Sequence, residues 1–411
     1  MKIKVLESTK FLRFLAISLL LLTSTHLSTS QIVSRVEVVM TSDENVQLGA
    51  EQFEKYLPLL KGKKIALVAN HTSFIGKSHL VDTLKSKGIQ IIKVFAPEHG
   101  FRGSADAGEK VASAIDAKTG IPIVSLYGDN KKPTAAQLQG IDLVVYDIQD
   151  VGARFYTYIS TMSYVMEACA EAKIPFVVLD RPNPNGHFVD GPVLDPAFSS
   201  FVGLHPVPIV HGMTVGEYAQ MVNAEGWLKN KAKCNLTVVT CIGWRHSQYY
   251  QLTIPPSPNL TDMNAIYLYP TLCLFEGTVV SVGRGTNKPF QLIGYPGFKE
   301  GKMEFTPQAG PGSKQPMYDK KVCNGFDLSG FGENFVRDSK SLYLFWLINM
   351  YQTSENKATF FNSFFDKLAG TDVLKKQIIA GKTEEEIKAS WAIGLQKFKE
   401  IRKKYLLYAD V

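Results

Sequence analysis

Residues 143–180 read LVVYDIQDVGARFYTYISTMSYVMEACAEAKIPFVVLD, and this stretch decides the fold. Leu143 to Tyr146 and Pro175 to Leu179 are short apolar runs, and Ser160 to Lys173 between them has the length and composition of a helix. A half-exposed strand alternates polar and apolar residues. These two strands do not, so both of their faces are covered, as in a parallel sheet flanked by helices. The same cycle recurs upstream. Ile65 to Ala69, Ile89 to Ala96 and Ile121 to Leu126 are further strands; Ser78 to Lys87 is a helix with Leu80, Val81 and Leu84 on one face and Gly88 as its stop. The expected fold is α/β, a doubly wound parallel sheet over about residues 45–200.

Downstream, Pro182, Pro184, Pro192, Pro196, Pro206 and Pro208 exclude regular helix and central strand. They mark a crossover into a second, smaller α+β domain over residues 205–411. That domain is expected to open with a helix from Val215 to Leu228, N-capped by Thr214, and to continue with strands at Leu236 to Ile242 and Thr278 to Val282. Helices close it near Ser341–Tyr351, Phe360–Ala369 and Thr383–Tyr405. The last carries a capping box, Thr383 with Glu386, and an apolar stripe of Ile387, Trp391, Leu395 and Phe398.

At 411 residues, 45% hydrophobic and 20% charged, the chain is an ordinary folded protein and not a small stapled scaffold. Its net charge of +7 invites a nucleic-acid reading that the first thirty residues weaken. Lys2, Lys4, Lys10 and Arg13 form a basic start, Phe11 to Leu22 is mostly apolar, and small polar residues follow from Thr23 to Ser30. This is the layout of a signal peptide over residues 1–30, too short in its apolar part for a permanent anchor, so the protein is expected to be exported, periplasmic or extracellular. Without those four cations and Glu7 the net charge falls to +4, and no basic stripe with interleaved aromatics remains for nucleic acid. No later stretch is apolar enough to span a membrane, and no Cys follows the apolar segment to carry a lipid. Cys169, Cys234, Cys241, Cys273 and Cys323 are widely and irregularly spaced; Cys234 and Cys241 either pair or, like the others, are buried thiols.

In an open parallel sheet ligands sit beyond the carboxyl ends of the strands. Here those ends are polar: Asn70-His71-Thr72, Pro97-Glu98-His99-Gly100-Phe101-Arg102-Gly103, Asp147 to Arg154, and Asp180-Arg181-Pro182-Asn183. Dinucleotide, P-loop, serine-elbow and H-E-x-x-H motifs are all missing, and no cofactor is expected. His71, His99 and His211 with a carboxylate remain an alternative metal set. Glu98, at a strand end, suits a general acid, or else pairs with Arg102. Asp150 either meets substrate or caps the following helix, and Asp180-Arg181 is either an ion pair or a clamp for sugar hydroxyls. Arg154, beside Phe155, Tyr156 and Tyr158, offers a planar fork for a carboxylate. From the second domain come the rigid loop Pro255-Pro256-Ser257-Pro258-Asn259, Glu276 in an apolar segment, and the Gly-rich loop Gly283 to Phe290 with Arg284. Two carboxylates closing on a cleft rich in Asp, Asn, Arg and Tyr suit hydrolysis of a glycosidic bond.

At these residues the sequence resembles the NamZ-type exo-β-N-acetylmuramidases, a bacterial family. The motifs carrying the resemblance are Leu67 to Thr72, Phe95 to Gly103, Asp147 to Tyr158, Asp180 to Gly186, His211 to Thr214, Phe275 to Thr278 and Gly283 to Phe290, over nearly the whole chain from Gly49. The resemblance implies a Rossmann-like N-terminal domain, an active site in the cleft against the C-terminal domain, and removal of N-acetylmuramic acid from non-reducing ends of peptidoglycan fragments. It makes Glu98 the leading catalytic residue, to which Glu276 is added as partner. The lactyl carboxylate of such a substrate needs a cation, Arg154 or Arg284; the rest of the expected binding set is Asn70, His99, Arg102, Asp147, Asp150, Tyr156, Asp180, Arg181, His211 and Asn259. His187 stands where the family pattern leads one to expect a second Gly after Asn185-Gly186. A non-catalytic binding protein for cell-wall sugars is the alternative function.

Overall fold

In the computed structural model, which describes residues 46–101 and 114–410, seven strands form one sheet. After the opening helix Phe53–Leu60 come β1 (Lys64–Ala69), a small hairpin of β2 (Phe74–Ile75) and β3 (Ser78–His79), and helix Leu80–Ser86. Then follow β4 (Gln90–Ala96), β5 (Ala114–Ile115), β6 (Pro122–Ser125), β7 (Leu143–Asp147), β8 (Phe176–Leu179) and β9 (Leu236–Val239). The order is β5-β6-β4-β1-β7-β8-β9, all parallel except β5. The chain builds outward from β1 in one direction and then from β7 in the other, so the topology reverses between these two strands.

The winding on both faces follows directly from alternation along each strand. Ile65, Leu67, Ala69, Leu143 and Val145 point to one face, where Tyr56, Leu60, Leu80, Val81 and Leu84 cover them. Ala66, Val68, Val144 and Tyr146 point to the other, against Ile159, Met162 and Met166 of helix Tyr158–Ala172. That second core runs on without a break into the C-terminal part of the chain, through Leu268 and Leu347 to Phe398. Each such buried side chain contributes about 1.5–3 kcal/mol relative to exposure.

The strand at 236–239, expected in the second domain, is instead the seventh strand of the large sheet and pairs with β8 from Phe176↔Leu236 to Leu179↔Val239. Its preceding helix, Val215–Ala224, keeps the expected cap: Thr214 Oγ1 accepts from Glu217 N, and Glu217 accepts in return from Thr214 N. No strand forms at Thr278–Val282, where only the bridges Thr278↔Phe361 and Ser281↔Gly294 occur; Val280 and Val282 bury themselves in the core without a partner strand. Among the elements the sequence did not lead one to expect, two stand out. Helix Met263–Leu272 contains Pro270 in its last turn. A three-stranded antiparallel sheet is built from β10 (Leu292–Tyr295), β11 (Met303–Phe305) and β12 (Cys323–Asp327). There Gly294 faces Gly325, and a Cβ on Gly325 would stand 1.9 Å from the Ile293 carbonyl oxygen.

The three expected C-terminal helices are present as Phe345–Thr353, Phe365–Ala369 and Glu384–Arg402, the last with its capping box and its stripe buried. The chain then returns to the main sheet. Tyr408 OH donates to Asp180 Oδ2 (2.5 Å), Leu407 N donates to Glu217 Oε1 (2.8 Å), and His246 N donates to the Ala409 carbonyl (3.0 Å). All five cysteines are free and buried, so Cys234 and Cys241 are not bridged. Among the described residues no helix is long and apolar enough to cross a membrane. The basic and apolar segment of residues 1–30 lies outside the described residues, as does Arg102.

Candidate active site

A cavity of about 690 Å³ opens beside the carboxyl ends of β4 and β6 and is walled on its far side by the C-terminal part of the chain. Glu98, His99, Tyr156, Glu276 and Arg284 all line it, so one space collects five residues expected at the site from segments nearly two hundred positions apart.

Glu98 sits in the turn after β4. Thr157 Oγ1 donates to its Oε2 at 2.8 Å and so orients the carboxyl. The next residue, His99, has φ 68°, a left-handed conformation that costs a non-glycine residue about 1 kcal/mol or more, followed by Gly100 at φ 74°. Gly100 N closes the turn on the Pro97 carbonyl at 3.1 Å. Backbone strain held this way beside a carboxyl in a cavity is characteristic of functional turns.

Glu276 belongs to the short helix Cys273–Gly277 that continues Met263–Leu272. Arg284 Nε donates to Glu276 Oε1 at 2.6 Å, and Cys273 Sγ lies 3.5 Å from Oε2. Burial works against the charge of Arg284, but Glu276 outweighs it and holds the guanidinium pKa above its usual value. Its guanidinium also covers the Phe290 ring, 4.8 Å from the centroid. Gly283 and Gly285, at φ 76° and 79°, flank Arg284; a Cβ on Gly285 would meet the Gln308 carbonyl at 2.7 Å. The glycines let the loop turn tightly enough to present the arginine to the cavity.

The floor is aromatic. Tyr269 makes edge contacts with Phe155, Tyr156 and Phe290, at centroid separations of 5.3, 5.7 and 5.0 Å. Burial drives the phenol pKa values of Tyr156 and Tyr269 and the Cys273 thiol well above their ordinary range, so all three stay neutral. The Pro255–Asn259 loop is fixed through its carbonyls: Pro256 O accepts from Tyr156 OH (2.8 Å) and Tyr158 OH (3.2 Å), and Pro255 O from His71 Nε2 (2.8 Å). Asn259 Nδ2 donates to the Gly312 carbonyl (2.6 Å), tethering the segment that brings Ser313, Lys314 and Gln315 to the wall.

The other expected residues are placed elsewhere. Asp147 takes Arg181 Nε and Nη2 on its two oxygens, at 2.5 and 2.9 Å, locking the ends of β7 and β8 together. Asp180 accepts from Gly216 N, Thr214 Oγ1 and Tyr408 OH; burial still pushes its carboxyl up to about 6. Asn70 accepts from Thr72 N and Thr72 Oγ1, shaping the turn after β1. Asp150 accepts from Gly152 N at 2.7 Å, with burial raising its pKa to about 7, and it lies 4.0 Å from His211, whose pKa burial lowers to about 3. Arg154, 1% exposed, donates to the carbonyls of Pro192, Val207 and Leu368, and is a brace between loops instead of a wall of the cavity. Among the described residues no three His, Cys, Asp or Glu converge closely enough to hold a metal ion. His187, at the departure from the family pattern, is fixed by its Nε2 donating to the Arg337 carbonyl (3.0 Å), away from the cavity.

Sequence reasoning missed Thr157, Cys273 and the 312–315 segment. A threonine beside two tyrosines and a short Gly-Ser-Lys-Gln run carry no chemical signal until the fold brings them to Glu98 and Glu276.

Residues 65–264 match the family described as Exo-beta-N-acetylmuramidase NamZ, N-terminal, and residues 267–408 the corresponding C-terminal family. The chain is 40% identical over 383 residues to the peptidoglycan beta-N-acetylmuramidase NamZ of Bacillus subtilis, covering 86% of this chain and 89% of that protein. Two DUF1343 family proteins of known structure from Bacteroides fragilis are also similar. One is 47% identical with a TM-score of 0.83, covering 89% of this chain and all of the other; the second is 29% identical with a TM-score of 0.73, covering 89% and 99%.

Proposed function

The chain belongs to the NamZ family and is a glycoside hydrolase, and we propose that it acts as an exo-β-N-acetylmuramidase, releasing terminal N-acetylmuramic acid from peptidoglycan fragments. The observation that carries this reading is the shared cavity of Glu98 and Glu276, one from the parallel sheet and one from the C-terminal part of the chain. In this mechanism Glu98, oriented by Thr157, gives its proton to the glycosidic oxygen as the bond to the anomeric carbon breaks. Glu276 supports the positive charge that develops at that carbon; water adds there, and its proton passes to one of the two carboxylates, so that Glu98 is reprotonated for the next turnover. Products are the free sugar and a fragment shortened by one residue.

Of the two candidate cations, Arg284 faces the cavity while Arg154 is enclosed by carbonyl groups, so Arg284 receives the lactyl carboxylate of the substrate. The aromatic floor suits the apolar face of a sugar ring. Residues 1–30 direct export, which brings the enzyme to its polymer. The test is release of N-acetylmuramic acid from a chromogenic β-N-acetylmuramide by the purified protein. Binding of cell-wall fragments with no product after prolonged incubation would leave a binding protein in its place.

A further inference from the structure

The lining of the cavity divides by exposure. Phe155, Tyr156, Tyr158, Tyr269 and Phe290 are buried and form its closed end; Tyr127, Phe201 and Phe364 are partly open to solvent and stand at its mouth. Phe201 is held there by an unusual device. Ser200 and Gly203 exchange backbone hydrogen bonds at 2.9 and 3.0 Å, leaving Phe201 and Val202 as the tip of a two-residue hairpin. Such tips are ordinarily polar because they meet water, and many need left-handed backbone, which neither Phe201 nor Val202 adopts. Here the tip is apolar. Tyr164 lies parallel to the Phe201 ring (centroids 6.2 Å, planes 4° apart), Tyr127 tilts against it at 6.2 Å, and the Lys131 ammonium stands 4.8 Å from its centroid. Tyr164 stacks along the ring and the Lys131 ammonium stands over it, so a sugar laid on Phe201 takes the place of that cation.

An aromatic cluster braced at the mouth of a cavity that Phe364 also lines has the chemistry that sugar rings recognise: C–H bonds over π faces, with hydroxyls left in water. An exo-acting enzyme holds the terminal sugar at the closed end and must pass the rest of the chain out through the mouth. We propose that Phe201 and Tyr127 form the subsite for the leaving-group sugar, the second residue of the saccharide, and that this platform sets a preference for saccharide over simple aglycones. The proposal rests on the muramidase reading and extends it to the other side of the scissile bond.

The experiment compares two ligands in the full chain: the disaccharide of β-N-acetylmuramic acid linked to N-acetylglucosamine, and free N-acetylmuramic acid as inhibitor. In Phe201→Ala the KM for the disaccharide rises about tenfold while the inhibition constant of the free sugar stays within about twofold; Phe201→Trp restores the KM. Equal weakening of both ligands, or of neither, overturns the subsite. If Phe201→Ala does not fold, Tyr127→Ala is read by the same criteria. Should the wild type release no sugar, the muramidase reading fails by itself. The platform is then judged by calorimetric binding of the disaccharide, which Phe201→Ala must weaken for the proposal to stand.

Discussion

Two of the arginine–carboxylate pairs among the described residues, Asp147 with Arg181 and Glu276 with Arg284, are built for different ends. Arg181 and Asp147 are 6% and 1% exposed and share two hydrogen bonds, with a third from Arg181 Nη2 to the Phe74 carbonyl (3.1 Å). Both oxygens of the Asp147 carboxylate are taken by Arg181, and the effect of the pair is to join strand ends. Arg284 and Glu276 are 23% and 25% exposed, meet through one bond, and border a cavity large enough for a sugar. The residue types are the same in both. What separates a brace from a site is whether the polar atoms are spent on the chain or turned toward open volume.

The comparison can be broken at four points. The largest effect belongs to Glu98→Gln, which should lower kcat about 10³- to 10⁴-fold with the melting temperature unchanged, as expected for loss of a general acid; a variant with near-normal turnover would remove Glu98 from the mechanism. Arg181→Met strands the Asp147 carboxylate in the interior and should cost about 3–5 kcal/mol in denaturant unfolding. Arg284→Met should change stability by about 1 kcal/mol or less and instead raise KM for substrates bearing the lactyl group. Equal destabilisation by the two would erase the distinction between brace and site. Glu276→Gln should reduce kcat about 10²-fold, a smaller loss than at Glu98, measured on the same chromogenic substrate.

The smallest effect concerns the pH dependence of stability. The folded protein holds the Asp150 proton up to about pH 7, whereas the unfolded chain releases it near 4, so this group's contribution to stability falls as pH rises across that window. His211 works in the opposite sense: kept neutral down to about pH 3, it makes stability rise with pH up to about 6.5. Asp150→Asn removes the first slope and leaves the second. Unfolding free energies between pH 4 and 7 should therefore climb more steeply in the variant, and parallel curves would show that Asp150 is already ionised in the fold.

The parallel sheet was legible because strands covered on both sides are apolar, as Ile65–Ala69 of β1, Leu143–Tyr146 of β7 and the whole of β8 are; β4 keeps Lys93 in its middle. The antiparallel sheet was not, because Gly294 and Gly325 approach each other backbone to backbone and leave no alternating pattern to see. The helix Met263–Leu272 hid behind Pro270, although Asp262, which accepts from Ala265 N at 2.9 Å, was a readable cap. At the candidate site, strand-end position pointed to Glu98 and an apolar setting to Glu276, and both line the cavity. The same logic also gathered Asp147, Asp180 and Arg181, because a charged loop after a strand looks alike whether it faces solvent space or seals against its neighbours. Arg154 was the hardest case: only the fold supplies the three carbonyls that surround it.

The return of the last residues to the sheet sets an order of assembly. Asp180 is translated 228 residues before Tyr408, the phenol that completes its hydrogen bonding, and Glu217 190 residues before Leu407, whose amide it accepts. A growing chain therefore holds two carboxylates without their final partners until residues 407 and 408 have been made, and the N-terminal half cannot settle early into its finished state. If the proposed export route carries the chain unfolded across a membrane, such late closure turns the 407–408 segment into a timer.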